Sequence, residues 1–311
     1  MRIVKSIDGI RALVREARAA GETIGFVPTM GALHAGHAAL IDQARAGADF
    51  LIVSIFVNPL QFDREDDYQR YAKNLPADAA LCESRGVDAI FAPEAAEMYP
   101  GSQRTHVDVE RVTDRLCGQF RPGHFRGVST VVTKLFNIVQ PDKAYFGEKD
   151  AQQLAVVRRM AADLNMPVEI VPVPTVREAD GLALSSRNVR LTAEERRAAP
   201  ALYRALLAVA NAIEGGACDP ERAKAEGLAV LAGEPLIRSE YLEIVDVEDM
   251  QPVASVRGPV LVAGAAWVGS TRLIDNVRIE PIAGSQPAGA AVGDTMIRRG
   301  FRNQTSTSNE V

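Results

Sequence analysis

Two histidines, His34 and His37, stand three residues apart in the segment VPTMGALHAGH, Val27 to His37, directly after an apolar run and a glycine-bearing turn. At i and i+3 of a starting helix, both rings project from one side of the helix N-terminus. Free N–H groups and the helix dipole favour an anion there. Two imidazoles beside such a site donate to phosphate oxygens and stabilise charge that develops in a transition state. A capping or core pair is the purely structural alternative. The chain holds four histidines in all, and finding two of them at one Gly-flanked turn favours the anion reading. A zinc site would need a Cys, Asp or third His at ligand spacing, and none is present.

A second junction of the same kind is YFGEKDAQQ, Tyr145 to Gln153. Gly147 permits close approach and Lys149 offers a point charge for phosphate, while Asp150 and Gln153 are spaced like a capping box. In LALSSRN, Leu182 to Asn188, two hydroxyls and Arg187 form a compact clamp, the guanidinium being able to bind phosphate bidentately. FVNPLQF, Phe56 to Phe62, places Asn58 and Gln61 past the end of a buried strand. RPGHFRGV, Arg121 to Val128, sets two arginines and His124 around two glycines. The chain has neither a G-x-x-x-x-G-K-[ST] phosphate loop nor a G-x-G-x-x-G dinucleotide turn, so a nucleotide must be held another way.

The elements that position these groups follow from hydrophobic patterning. Apolar runs at 24–27, 50–57, 87–92, 143–146 and 168–171 alternate with helical stretches, one of them from Asp150 to Leu164. A short strand and an amphipathic helix precede them. Continuous apolar strands alternating with helices predict a Rossmann-like α/β fold, a parallel sheet covered by helices on both faces, over residues 1–175. Ligands of such sheets sit beyond the carboxyl ends of the strands, where the motifs fall. Thr192 with Glu195 predicts a capping box opening one long helix that ends at Gly215 and Gly216. A second helix over 220–232 and three antiparallel strands at 240–245, 259–266 and 271–279 complete a smaller C-terminal α+β domain, 176–282, closing over the site. Residues 283–311 have few large apolar side chains and read as a flexible tail.

The 311 residues are 47% hydrophobic and 24% charged, with a net charge of -5, which suits a soluble chain of about two domains. An acidic chain lacks the overall field for binding nucleic acid, so any polyanion site is a local pocket. No apolar run reaches the ~18 residues of a membrane span. Three scattered cysteines fit a reducing compartment, and the expected location is cytoplasmic.

PTMGALHAGH, FVNPLQF, RPGHFRGV, YFGEKDAQQ and LSSRN, in this order, resemble the motifs of the pantoate–β-alanine ligases, within the nucleotidylyltransferase superfamily. The resemblance runs from about Met1 to Glu280 and includes TRLIDN near its end. It implies ATP-dependent formation of pantoyl adenylate, then amide formation with β-alanine to give pantothenate, AMP and pyrophosphate. It implies ATP contacts from Met30, Gly31, Ala32, Leu33, His34, Ala35, Gly36 and His37, with His37 as proton donor. Gly147, Glu148, Lys149, Asp150, Val176, Leu184, Ser185, Ser186 and Arg187 would complete the ATP site. His34, His37, Lys149 and Arg187 would carry the catalysis. Gln61 and Gln153 would hold pantoate, Gln61 also bordering β-alanine. Mg²⁺ is implied with ATP but without a protein ligand, since only Asp78 lies in the first turn of the helix after Pro76. A homodimer is implied as well. Arg190 stands where the family pattern has a Tyr. A nucleotidylyltransferase acting on a phosphate acceptor, and a nucleotide-binding regulator without catalysis, are the alternative functions.

Overall fold

The computed structural model describes residues 1–280; the expected tail, 283–311, lies outside the described residues. Six strands, β1 (Arg2–Val4), β2 (Ile24–Thr29), β3 (Phe50–Ile55), β4 (Ala89–Phe91), β5 (Lys143–Gly147) and β6 (Glu169–Val173), pair in the order β1-β4-β3-β2-β5-β6. Every pairing is parallel. The helices between them are α1 (Ile7–Ala19), α2 (Ala35–Gly47), α3 (Glu65–Gln69), α4 (Leu75–Ser84), α5 (Ala95–Met98), α6 (Cys117–Phe120), α7 (His124–Val139) and α8 (Ala151–Asp163).

The strands' period-2 alternation sorts side chains to the two faces. Phe26 and Ile52 join one apolar cluster with Leu13 of α1, Phe136 of α7 and Val156 of α8. Their neighbours Val27, Leu51 and Val53 join another with Ile41 of α2 and Cys82 of α4. Phe136 stands edge-on to Phe26 and Phe146, with ring centroids 6.5 and 6.4 Å away. Each such ring contributes about 1.5–3 kcal/mol by leaving water, so the two layers of helices hold the sheet from both sides.

Beyond β6 come α9 (Ala193–Ala198), α10 (Ala201–Glu214), α11 (Pro220–Ala232) and an antiparallel sheet β7 (Ile237–Asp246), β8 (Val260–Val268), β9 (Thr271–Ile279). The expected box is present: Thr192 Oγ1 accepts from Glu195 N at 3.2 Å, and Glu195 Oε2 accepts from Thr192 N at 2.8 Å. The single long helix is not. It breaks into α9 and α10 at Pro200, which has no N–H to continue the ladder and whose ring opposes the preceding turn. Among the described residues no helix is long and apolar enough to cross a membrane.

Helix α7 crosses the 3₁₀ turn Pro59–Gln61 with backbone against backbone. A Cβ at Gly127 would lie 2.3 Å from the carbonyl oxygen of Leu60 and 2.6 Å from Gln61 N. Only glycine allows that approach, and Asn58 Nδ2 stitches it by donating to the Gly127 carbonyl at 3.1 Å. Gly127→Ala is therefore expected to lower unfolding stability by about 1–3 kcal/mol, the usual range for overpacking. Chemical denaturation measures it, and an unchanged midpoint would mean the turn moves away freely.

Candidate active site

Strand order explains why distant motifs meet. The chain leaves β2 towards β3 and β4 on one side, while β5 and β6 lie on the other, so the topology switches between the neighbours β2 and β5. A crevice opens at the carboxyl ends of strands at such a point. Met30 to His37 leaves the end of β2, and Glu148 to Gln153 leaves the end of β5. Met30, His34, Gly36, His37, Gly147, Lys149, Asp150, Gln153, Val176, Leu184, Ser185, Ser186 and Arg187 line one cavity with Gln61, of about 280 Å³. Gly31, Ala32, Leu33, Ala35 and Glu148 do not line it.

The two histidines cap α2 reciprocally. His34 Nδ1 accepts from Gly36 N at 3.1 Å, and His37 Nδ1 accepts from His34 N at 3.3 Å. A Cβ at Gly36 would come within 2.9 Å of the His34 ring, so this cap needs glycine there. Capping and ligand binding are thus compatible. Each ring uses Nδ1 on the backbone, so its neutral form carries the proton on Nε2 and offers an N–H outward. The rings lie 4.2 Å apart. Burial first, then the neighbouring His34 and Lys149 charges, push His37 down to about 3; burial and Lys149 also lower His34.

Asp78 holds the preceding turn. Its buried carboxylate accepts from Ala32 N at 3.1 Å and Leu33 N at 2.8 Å. Ala32 and Leu33 therefore turn their N–H groups to a carboxylate instead of the cavity. Among the described residues no group of three or more His, Cys, Asp or Glu gathers as a metal site.

Lys149 is placed from the second sheet. Asn276, in the TRLIDN segment of β9, donates to the carbonyls of Glu148 and Lys149, both at 2.9 Å. Its neighbour Asp275 takes Arg177 at 2.6 and 2.9 Å. The expected Asp150 cap is absent: Asp150 ends a 3₁₀ turn with φ -97° and ψ 57°, not the extended backbone of a capping residue, and makes no side-chain cap bond. Asp150 instead lies 3.7 Å from Lys149 Nζ. The capping box with Gln153 therefore does not form. Its neighbour Gln152 is the structural amide: buried, it accepts from Cys117 N and donates to the carbonyls of Val112 and Arg115.

The acid-facing wall is a hydrogen-bonded chain. Tyr99 donates to Asn58 Oδ1 at 2.7 Å, and Asn58 Nδ2 donates to Gln61 Oε1 at 3.1 Å. That fixes the Gln61 amide with its N–H₂ outward, 3.2 Å from Met30 Sδ. Thioether sulfur is a weak acceptor, so this amide donor is open to a stronger oxygen acceptor. His124 and Arg121 buttress the same turn at the Gln61 carbonyl. Leu116, Phe125, Val128 and Val131 supply apolar lining.

The whole-chain comparison now has a geometry to meet. A family model described as pantoate-beta-alanine ligase matches residues 2–278. The chain belongs to this family. A curated relative, the pantothenate synthetase of Heliobacterium modesticaldum, is 55% identical over 90% of this chain and 100% of its own length. The crystal structure of pantothenate synthetase from Thermus thermophilus is 49% identical, with a TM-score of 0.85 over 90% of this chain and 100% of that one. That of the Francisella tularensis pantoate-beta-alanine ligase, complexed with beta-gamma ATP and beta-alanine, is 33% identical with a TM-score of 0.74, over 89% and 97%.

Burial of neutral His37 couples the site to pH. Its folded value lies below the ordinary 6.5, so at intermediate pH the unfolded chain takes up a proton that the folded chain refuses. The stability contributed is present above pH 6.5 and is lost as pH falls towards 3. His37→Gln is expected to show a smaller drop in melting temperature between about pH 7.5 and 5 than the parent chain. Equal drops would mean that His37 titrates as an exposed imidazole.

Proposed function

We propose that this chain ligates pantoate to β-alanine with ATP, through an enzyme-bound pantoyl adenylate. The carrying observation is one cavity lined by two chemistries: His34, His37, Lys149 and Arg187, and the neutral amides Gln61 and Gln153 with apolar side chains. A carboxylate is a poor acyl donor because oxide leaves badly. Attack of the pantoate carboxylate on the α-phosphorus of ATP releases pyrophosphate and leaves the acyl group on AMP, a good leaving group. The β-alanine amine then attacks the acyl carbon, losing a proton as AMP departs.

The Nε2–H groups of His34 and His37 donate to the phosphates, where negative charge builds as pyrophosphate leaves. A neutral, buried His37 suits this hydrogen bonding; the imidazolium needed for proton donation is favoured only once phosphate charge arrives. Lys149 acts as a fixed charge, its backbone anchored by Asn276. Gln61 and Gln153 hold the hydroxy acid through amide groups, which match a single carboxylate and hydroxyls better than a phosphate dianion. That disfavours a phosphate acceptor. Mg²⁺ enters as MgATP, carried by phosphate oxygens and water. Residues 1–175 supply the ATP and pantoate site and 176–282 close over it, in a cytoplasmic homodimer.

Exchange of labelled pyrophosphate into ATP tests the reading. Pantoate alone, without β-alanine, is expected to support exchange, and His37→Ala to slow it about 10²–10⁴-fold. Exchange that requires a phosphorylated acceptor, or that no acid supports, would contradict the ligase reading.

A further inference from the structure

Between the Gln61 turn and α4, residues 62–74 form a strap carrying the short helix α3. One of its side chains occupies a group that the SSRN clamp would offer to phosphate. Asp67 Oδ2 accepts from Arg187 Nη2 at 3.0 Å, while Asp67 Oδ1 accepts from Arg190 Nη1, also at 3.0 Å. Arg187, Ser186 and Tyr71 all line the nucleotide cavity.

Accepting the ATP site described above, we propose that Asp67 is a built-in competitor of nucleotide phosphate. Its carboxylate occupies Arg187 in the free chain and must be displaced before that guanidinium can bind ATP. Carboxylate and phosphate are both acceptors matched to one guanidinium edge, so Arg187 Nη2 serves one at a time. Burial alone would raise the Asp67 carboxyl, yet Arg187 and Arg190 hold it below the ordinary range, so it stays ionised and competes across the working pH range. Arg190 gives the departure from the family pattern a purpose. It holds the second carboxylate oxygen, so Asp67 keeps a partner when Arg187 turns to phosphate.

The competition lowers apparent affinity by the fraction of molecules whose Arg187 is free. The probe is α,β-methylene-ATP with Mg²⁺, titrated calorimetrically into the full chain, so that no turnover enters. Asp67→Asn is expected to tighten binding roughly two- to ten-fold, as when a partly exposed ion-pair network ceases to compete. Asp67→Glu should restore the parent affinity, and adenosine should bind Asp67→Asn and the parent alike. In an Arg187→Ala background, Asp67→Asn should bring no further gain. Unchanged or weaker binding in Asp67→Asn, or an equal gain without Arg187, would overturn the proposal and make Asp67 a latch holding the strap on the nucleotide. Such a failure leaves pantoate-dependent pyrophosphate exchange in place, whereas failure of the ligase reading removes that dependence.

Discussion

Each imidazole at the start of α2 gives its Nδ1 lone pair to a backbone N–H, and the site depends on that exchange. It satisfies two of the donors that a helix N-terminus leaves unpaired, and it fixes the tautomer of both rings. The remaining nitrogen of each is then left as a donor, on two residues that line the cavity. Gly36 follows from it, since a side chain there would meet the His34 ring. Asp78 follows as well, because the turn before the cap has free N–H groups that need an acceptor in the interior.

The two sheets divide the task by geometry. Parallel strands bring β2 and β5 side by side, so the histidine turn and the Lys149 turn open into the same crevice. From the antiparallel sheet, β9 reaches across to hold the Lys149 backbone through Asn276. A lysine on a long flexible stem gains precision when its main chain is fixed this way. On the acid side, the series from Tyr99 to Asn58 to Gln61 performs the equivalent service for an amide.

Much of this was legible in the sequence because its signals are local. Apolar runs followed by glycine and polar residues mark strand ends, and the positions of β2, β3, β5 and the three antiparallel strands follow from them to within a few residues. The break at Pro200 was readable too, since proline carries its own cost in a helix, but the capping box upstream suggested continuity. Long-range roles left no such trace. Asp78 is an ordinary first-turn acid until the fold sets it 46 positions from Ala32, under that residue's N–H. Gln152 and Gln153 are adjacent amides that both line the cavity, and only the fold shows that Gln152 is the one bonded as a structural bracket. The strap's pairing of Asp67 with Arg187 spans 120 positions between two polar loops, where hydrophobic periodicity says nothing.

Before any phosphate arrives, both histidines are neutral Nε2–H donors with Nδ1 committed to the backbone. Nitrogen-15 NMR of the histidine side chains reads this directly, since ring nitrogen shifts separate the two neutral tautomers from imidazolium. In the ligand-free chain at neutral pH, His34 and His37 should both appear as the Nε2–H tautomer, with His37 remaining neutral as the pH is lowered to about 5. A protonated Nδ1 on either ring, or an imidazolium at His37 near neutral pH, would contradict the account.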